Sequence, residues 1–204
     1  MSRELINSYS YKLASLSPRR RHLLKEMNIE FEACSTDVDE SYPEQLQPWE
    51  VALFLSKKKS DFFESHHIGD KEIIITADTL VSLEGNIIPK PEDLKQAIQF
   101  LHFLSGKMHI VFTGVTLKSK TNSRTFLSES RVWFRELTSE EIEFYISHFN
   151  PIDKAGAYGI QEWIGYVGIE RIEGSFYNVM GLPTSRLYTE LLDFISEIES
   201  LDSL

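Results

Sequence analysis

The sequence predicts a mixed α/β (α+β) fold, a twisted mixed sheet flanked by helices, on three observations. Residues 72–77, Glu-Ile-Ile-Ile-Thr-Ala, have the continuous β-branched character of a strand buried on both faces. After Lys90-Pro91, Leu94, Ala97, Ile98, Leu101 and Leu104 recur at helical spacing and lead to a stop near Gly106. Residues 108–117 and 124–134 read as two long strands joined around Thr121-Asn122-Ser123, an antiparallel hairpin. A buried strand, an amphipathic helix and a long hairpin in one chain imply helices covering a mixed sheet.

The remaining elements follow in order. Residues 11–14 are a short, mostly apolar strand. Ser17 is a good N-cap and Pro18 suits the first helical position, so a helix is expected to about Met27. Arg19, Arg20 and Arg21 fall in its first turn, where cations oppose the helix dipole unless something negative binds between them. A solvated basic face is the alternative. Alternation over 29–33 marks a second strand, and the acidic loop Asp37-Val38-Asp39-Glu40 follows. Pro48 opens a helix with apolar positions Val51, Leu53, Phe54, Leu55 and Phe62, carrying Lys57, Lys58 and Lys59. The β-branched strand ends at Asp78, and Glu84-Gly85-Asn86 supplies a hairpin turn between Leu83 and Ile87. Thr138-Ser139-Glu140-Glu141 is a capping box that starts a helix to about Phe149, with Pro151 beyond its end. A glycine-containing segment over 153–161, a strand around 166–172, a turn at Gly174 and a helix from about Pro183 complete the chain. No repeat or low-complexity linker interrupts it. One domain over 1–204 is expected, with 1–9 as a short N-terminal extension; two lobes around a cleft are compatible with one continuous chain.

The 204 residues are 42% hydrophobic, enough for a well-filled core or two small lobes. Asp and Glu outnumber Lys and Arg 31 to 21, a formal net charge of -10, and such a surface repels nucleic acid and anionic membranes. Neither is expected as a partner. A small phosphorylated substrate is compatible with an acidic chain that clusters a few cations. Cys34 is the only cysteine, which excludes an internal disulfide, argues against a cysteine zinc site and fits a cytoplasmic location. It reads best as a small core residue. No segment approaches the ~18 to 20 apolar residues of a membrane helix.

Asp78, at the end of an apolar strand, puts a carboxylate at a sheet rim where ligands commonly bind. A turn or capping role is an equal reading of a strand-terminal Asp. Asp39 and Glu40 add oxygens suited to a hard cation such as Mg²⁺, although a solvated acidic loop suffices for Asp39. Arg19, Arg20, Lys59 and Lys90 are the cations placed to line a cleft, Arg as a two-pronged phosphate grip and Lys as a point charge. Lys57 and Lys58 are expected to face solvent. His66 and His67, adjacent near a helix end, are expected to be exposed without metal-ligand spacing. No Walker loop, G-x-S-x-G elbow or Ser-His-Asp pattern stands out.

Six blocks taken together carry a resemblance. They are Leu13-Ala14-Ser15-x-Ser17-Pro18-Arg19-Arg20, Ala77-Asp78-Thr79, Lys90-Pro91, Leu104-Ser105-Gly106-Lys107-x-His109, Asp153-Lys154-Ala155-Gly156-Ala157-Tyr158-Gly159-Ile160-Gln161 and Gly181-Leu182-Pro183. In this order, over nearly the whole chain, they resemble the Maf family of nucleoside triphosphate pyrophosphatases. The resemblance implies a Maf/ITPase-like fold and hydrolysis between the α and β phosphates, giving a nucleoside monophosphate and pyrophosphate. It implies Asp78 as the proton acceptor, a divalent cation (Mg or Mn) with Glu40 and Asp78 as its ligands, and Ser15, Arg20, Lys59 and Lys90 on the phosphates. Family members divide by base. Arg19, Thr79 and Gln161 are similar to the branch acting on dTTP and UTP; the 7-methyl-GTP branch has an aromatic residue after the proline, Gln after the aspartate and Glu in place of the glutamine. A 7-methyl-GTP pyrophosphatase and a nucleotide-responsive regulator of septum formation are the alternative functions. The family's dimers imply a homodimer. Two departures stand out: the helix reads Phe54-Leu55-Ser56-Lys57-Lys58-Lys59-Ser60 without the family's customary arginine, and Glu162 replaces a glycine, with the bulk of Trp163 behind it.

Overall fold

The computed structural model describes residues 2–201. A short helix, α1 (Ser2–Asn7), packs against the C-terminal helix α8 (Thr184–Leu201) and leads into β1 (Ser10–Ala14). β1 pairs in parallel on both sides: with β2 (Glu32–Cys34), Ala14 opposite Cys34, and with β3 (Glu72–Leu83), Leu13 opposite Ile75. Helix α2 (Pro18–Glu26) connects β1 to β2, and α3 (Pro48–Asp61) connects β2 to β3. The chain thus winds away from β1 first to one side and then to the other. That reversal creates a topological switch point at the carboxyl end of β1, beside β3 where it runs on past its neighbour, the kind of place where open α/β sheets bind ligands.

β4 (Asn86–Ile88) folds back on β3 through Glu84 and Gly85, at φ 53° and 81°, the left-handed pair that a two-residue hairpin turn requires. α4 (Leu94–Leu104), β5 (Met108–Lys118), β6 (Ser123–Phe134), α5 (Ser139–Phe149), α6 (Trp163–Gly168), β7 (Ile169–Glu173) and α7 (Phe176–Met180) follow before α8. The sheet order is β2-β1-β3-β5-β6-β7, with β4 on β3, and antiparallel pairing of β6 with β7 makes it mixed.

Two compact units emerge. The first comprises Met1–Asp78, Thr113–Ser128 and Gly181–Leu204; the second, Thr79–Phe112 and Glu129–Met180. In the first, Leu13, Leu24, Val51, Ile75, Leu117, Leu187, Leu191 and Phe194 are buried. Gly114 of β5 lets α3 approach closely: a Cβ there would lie 2.2 Å from the Ala52 carbonyl oxygen. Cys34 is half-buried against the Ala14, Ile68 and Ile74 cluster, a small packing residue as expected. In the second unit, Leu101, Leu104, His109, Ile142 and Tyr145 are buried, and Gly156, at φ 69°, packs its backbone on Val81. Thr138 and Glu141 form the expected reciprocal capping box at the start of α5. Among the described residues no helix is long and apolar enough to cross a membrane.

Several expectations are corrected. β3 does not end at Asp78; it runs on to Leu83. Its register with β1 runs to Ile75, so Asp78 still lies past the carboxyl end of its neighbour. The second strand is Glu32–Cys34 rather than 29–33, because Asn28 turns left-handed (φ 55°) and Ile29 N–H still caps Leu24 O at 3.4 Å. On α3 the buried stripe is Val51, Ala52, Leu55, Ser56, Lys59 and Ser60, while Phe54 and Phe62 are exposed. The face is chosen by polar contacts to β3 and β5, which hydropathy does not register. Tyr166 lies in α6 rather than a strand, and β7 begins at Ile169. Sequence pattern did not anticipate α1 or α7, each under two turns long.

Candidate active site

The first unit gathers its candidates beyond the carboxyl ends of β1 and β2, where β3 runs on past them through Asp78. After β1 the chain turns through Ser15, whose N–H bonds Leu13 O at 2.9 Å. Ser17 then caps α2, its hydroxyl accepting from Arg20 N–H. Arg20 points its guanidinium back over the loop: Nε donates to Gly181 O at 2.8 Å and Nη1 to Ser15 Oγ at 3.3 Å. Burial pushes the Arg20 pKa below its ordinary value, the Asp78 and Glu40 carboxylates push it back, and Arg19 adds to the lowering. For Arg20, the anionic partners that a first-turn arginine calls for are therefore supplied from β3 and from the loop after β2. Arg19 itself is half-buried.

Helix α3 carries the central cation. Thr76 Oγ1 donates to Ser56 O at 2.6 Å, and the Ser56 hydroxyl bonds Thr116 Oγ1 at 3.2 Å, fastening the helix to β3 and β5. Lys59 lies one turn beyond Ser56 and Asp78 two residues beyond Thr76, so the fastened pair carries the next pair into contact. Lys59 Nζ stands 2.5 Å from Asp78 Oδ1 and 2.7 Å from Glu40 Oε1, with Lys59 and Asp78 both buried. The end of α3 is held by Lys118, which donates to Phe63 O at 2.6 Å and to Ser60 O at 3.3 Å, the latter a carbonyl that also accepts from Phe63 N–H.

Lys58, expected to face solvent, is half-exposed and also holds a loop. It donates to Ser41 O at 2.9 Å and lies 3.6 Å from Asp39 Oδ2, tying down the loop that presents Glu40. Asp39 accepts from the Ser41 hydroxyl and from its N–H at 3.0 Å, bonds that hold its carboxyl below the usual range. Asp39 is thus a loop organiser. Lys57 is exposed as expected and pairs with Asp61. His66 and His67 are exposed, also as expected, but Glu64 reaches both, and the three side chains bring ligand atoms within 4.8 Å of one another.

The second unit holds Thr79, Lys90 and Gln161. Thr79 is half-buried on β3, and Lys90 is exposed beside Pro89, whose carbonyl accepts from Gly156 N–H at 3.2 Å. Gln161 is half-buried, with its Oε1 sealed from solvent and without a hydrogen-bond partner. Around it lies a network that the sequence did not disclose. Glu162 accepts from the Tyr145 hydroxyl and pairs with buried Lys154 at 3.2 Å; the same hydroxyl accepts from Gly159 N–H at 3.0 Å. Trp163 packs edge-on to Phe144, their centroids 4.8 Å apart. His109, fully buried, bonds the Tyr158 hydroxyl at 2.7 Å and lies beside Phe134, which makes it a core residue. Burial lowers its pKa to about 3.

Two carboxylates that converge on one cation from 2.5 and 2.7 Å offer the all-oxygen donor set of a hard divalent ion, and Lys59 occupies the position between them. Arg20 adds a second fixed positive charge. The switch-point topology and this carboxylate–cation centre make an α/β protein with a site suited to a phosphorylated ligand. The chain belongs to the Maf family, whose model, described as Maf-like protein, matches residues 11–194. It is similar to proteins named dTTP/UTP pyrophosphatase. That of Porphyromonas gingivalis is 46% identical over 191 residues, covering 93% of this chain and 96% of the relative. The Bacteroides thetaiotaomicron protein is 46% identical, covering 91% and 96%, and the Christiangramia forsetii protein 41%, covering 96% and 100%.

Proposed function

We propose that this protein is a nucleoside triphosphate pyrophosphatase that hydrolyses dTTP and UTP to the nucleoside monophosphate and pyrophosphate. The observation that carries the reading is the Asp78–Lys59–Glu40 centre at the switch point, with Arg20 beside it. The relatives named above supply the substrates. Asp78 takes the proton from water as its oxygen attacks the α phosphorus, and the bond to the bridging oxygen breaks to release pyrophosphate. Lys59, Arg20, Ser15 and Lys90 hold the phosphate oxygens in line. Asp78 and Glu40 are the residues that would hold a divalent cation, Mg or Mn, which when bound neutralises charge developing on those oxygens.

Arg19, Thr79 and Gln161 carry base choice. Gln161 supports this as a half-buried amide, a group that tells a donor from an acceptor: thymine and uracil present an N3–H donor where cytosine presents an acceptor. One Maf-like domain over 1–204 is the working unit, since the family match runs through segments of both compact units; a cytoplasmic homodimer completes the reading. Pyrophosphate release from a panel of dTTP, UTP, CTP and 7-methyl-GTP, with Mg²⁺ or Mn²⁺, tests it. Turnover of dTTP and UTP that EDTA abolishes and metal restores is the expected result. Release from 7-methyl-GTP alone would reassign the base, and release from none would reject the reaction.

A further inference from the structure

Glu162 opens α6 at the N-cap position, yet its carboxylate makes no capping bond. It turns back instead onto Tyr145 and Lys154, both almost fully buried, and stays largely buried itself. Forgoing a cap leaves helix donors open, so this orientation must be repaid by what the carboxylate does elsewhere. The segment it meets is the one that ends in Gln161. Gly156 and Ala157 are both left-handed, at φ 69° and 59°, a conformation that a non-glycine residue such as Ala157 keeps only when its surroundings hold it. Lys154, just before them, is clamped between Asp153 at 2.8 Å and Glu162 at 3.2 Å. Gly159, just after, donates its N–H to the Tyr145 hydroxyl, and Glu162 N–H closes the turn onto Gly159 O at 2.9 Å. A Cβ on Gly159 would lie 2.7 Å from the Glu162 carboxyl carbon and 3.0 Å from Gln161 Nε2. The carboxylate, the turn and the glutamine amide therefore pack as one piece, although none of the clamping bonds is made by Gln161.

We propose that Glu162 is a positioning residue for base selection: with Lys154 and Tyr145 it fixes the 159–161 turn, so that Gln161 meets the pyrimidine edge in a single orientation. The proposal rests on the pyrophosphatase reading above and adds to it the residue that sets how sharply Gln161 discriminates. A preorganised amide rejects a base that lacks the matching group; a mobile one rotates away at little cost. Loosening the turn should therefore leave the hydrolytic step intact and blunt selectivity.

The test uses the full-length protein and steady-state pyrophosphate release from UTP and CTP, with circular dichroism as the check on folding. For Glu162→Gly, kcat for UTP stays within about threefold of the unsubstituted protein, and KM rises about tenfold. The ratio of kcat/KM for UTP to that for CTP falls about tenfold, the worth of one well-placed hydrogen bond. Glu162→Gln, which keeps the volume and an acceptor for Tyr145, retains most of the ratio. Tyr145→Phe lowers it as Glu162→Gly does, and the double variant lowers it little further, because both act through one link. Glu162→Gln and Tyr145→Phe also give the answer should Glu162→Gly fail to fold. A UTP/CTP ratio unchanged in folded Glu162→Gly or Tyr145→Phe, or a loss confined to kcat, overturns the proposal while leaving the enzyme reading in place. An unsubstituted protein inactive on UTP and dTTP overturns the enzyme reading itself.

Discussion

Lys59 holds its ammonium between Asp78 and Glu40 with little exposure to water, where each charge offsets the desolvation of the others. Removing any one of them should therefore be felt in turnover. Asp78→Asn keeps the shape and removes the proposed proton acceptor, so kcat for UTP should fall by about 10² to 10⁴ with circular dichroism unchanged. Lys59→Met removes a fixed charge from the phosphates, and kcat/KM should drop about a hundredfold. Lys58→Ala only frees the loop that carries Glu40 from a half-exposed grip; its effect should stay below about tenfold and appear mainly in KM. Equal losses at Lys58 and Lys59 would refute this division of labour. Asp78, Arg20 and Lys59 could be picked out as candidates because a carboxylate after an apolar run and cations near the ends of elements are visible in one dimension. The work of Lys58 was not, since a lysine in a run of three looks solvated until the loop it holds is seen.

At the scale of the element, α3 decides where the central lysine lies, and Gly114 decides where α3 lies. A methyl group at Gly114 would fall 2.2 Å from the Ala52 carbonyl oxygen, against helix backbone that has no rotamer to give way. Gly114→Ala should cost about 2 kcal/mol or more, read as a lower urea midpoint, and should also reduce turnover by shifting Lys59 away from Asp78. Thr138→Ala gives the contrast: loss of the capping box of α5 should cost about 1 kcal/mol and leave kcat for UTP unchanged within about twofold. Comparable losses of kcat in the two variants would show that the position of α3 is not what matters. The elements themselves were readable wherever a cap or a periodic apolar face announced them, as at Ser17, Pro48 and Thr138. The buried face of α3 was not readable, because Ser56, Lys59 and Ser60 are polar residues buried through contacts with other strands.

Across the whole molecule, stability should depend on pH through His109. Its pKa falls from 6.5 to about 3 on burial, so the unfolded chain binds the extra proton first as pH drops. The stability that neutral His109 contributes is complete above pH 6.5 and is lost progressively down to about pH 3. By pH 5 the loss should be about 2 kcal/mol. Glu141, held at about 2 by Arg135 and the Thr138 N–H, acts in a lower window: its contribution is present above its ordinary value of 4.5 and is lost below it. Urea midpoints at pH 7 and pH 5 check the first window; His109→Gln should flatten the difference, and a slope unchanged in that variant would assign it elsewhere. The sequence by itself determined the mixed class of fold, the order of most elements and the family, because local propensity, caps and the six blocks are properties of neighbouring residues. Tertiary structure alone decided that β3 passes through Asp78 rather than stopping there, that Lys59 bridges two carboxylates, and that Glu162 is clamped to Tyr145 and Lys154. Each of these depends on which strands pair and which faces pack, and so joins residues far apart in the chain whose spacing carries no trace of the contact.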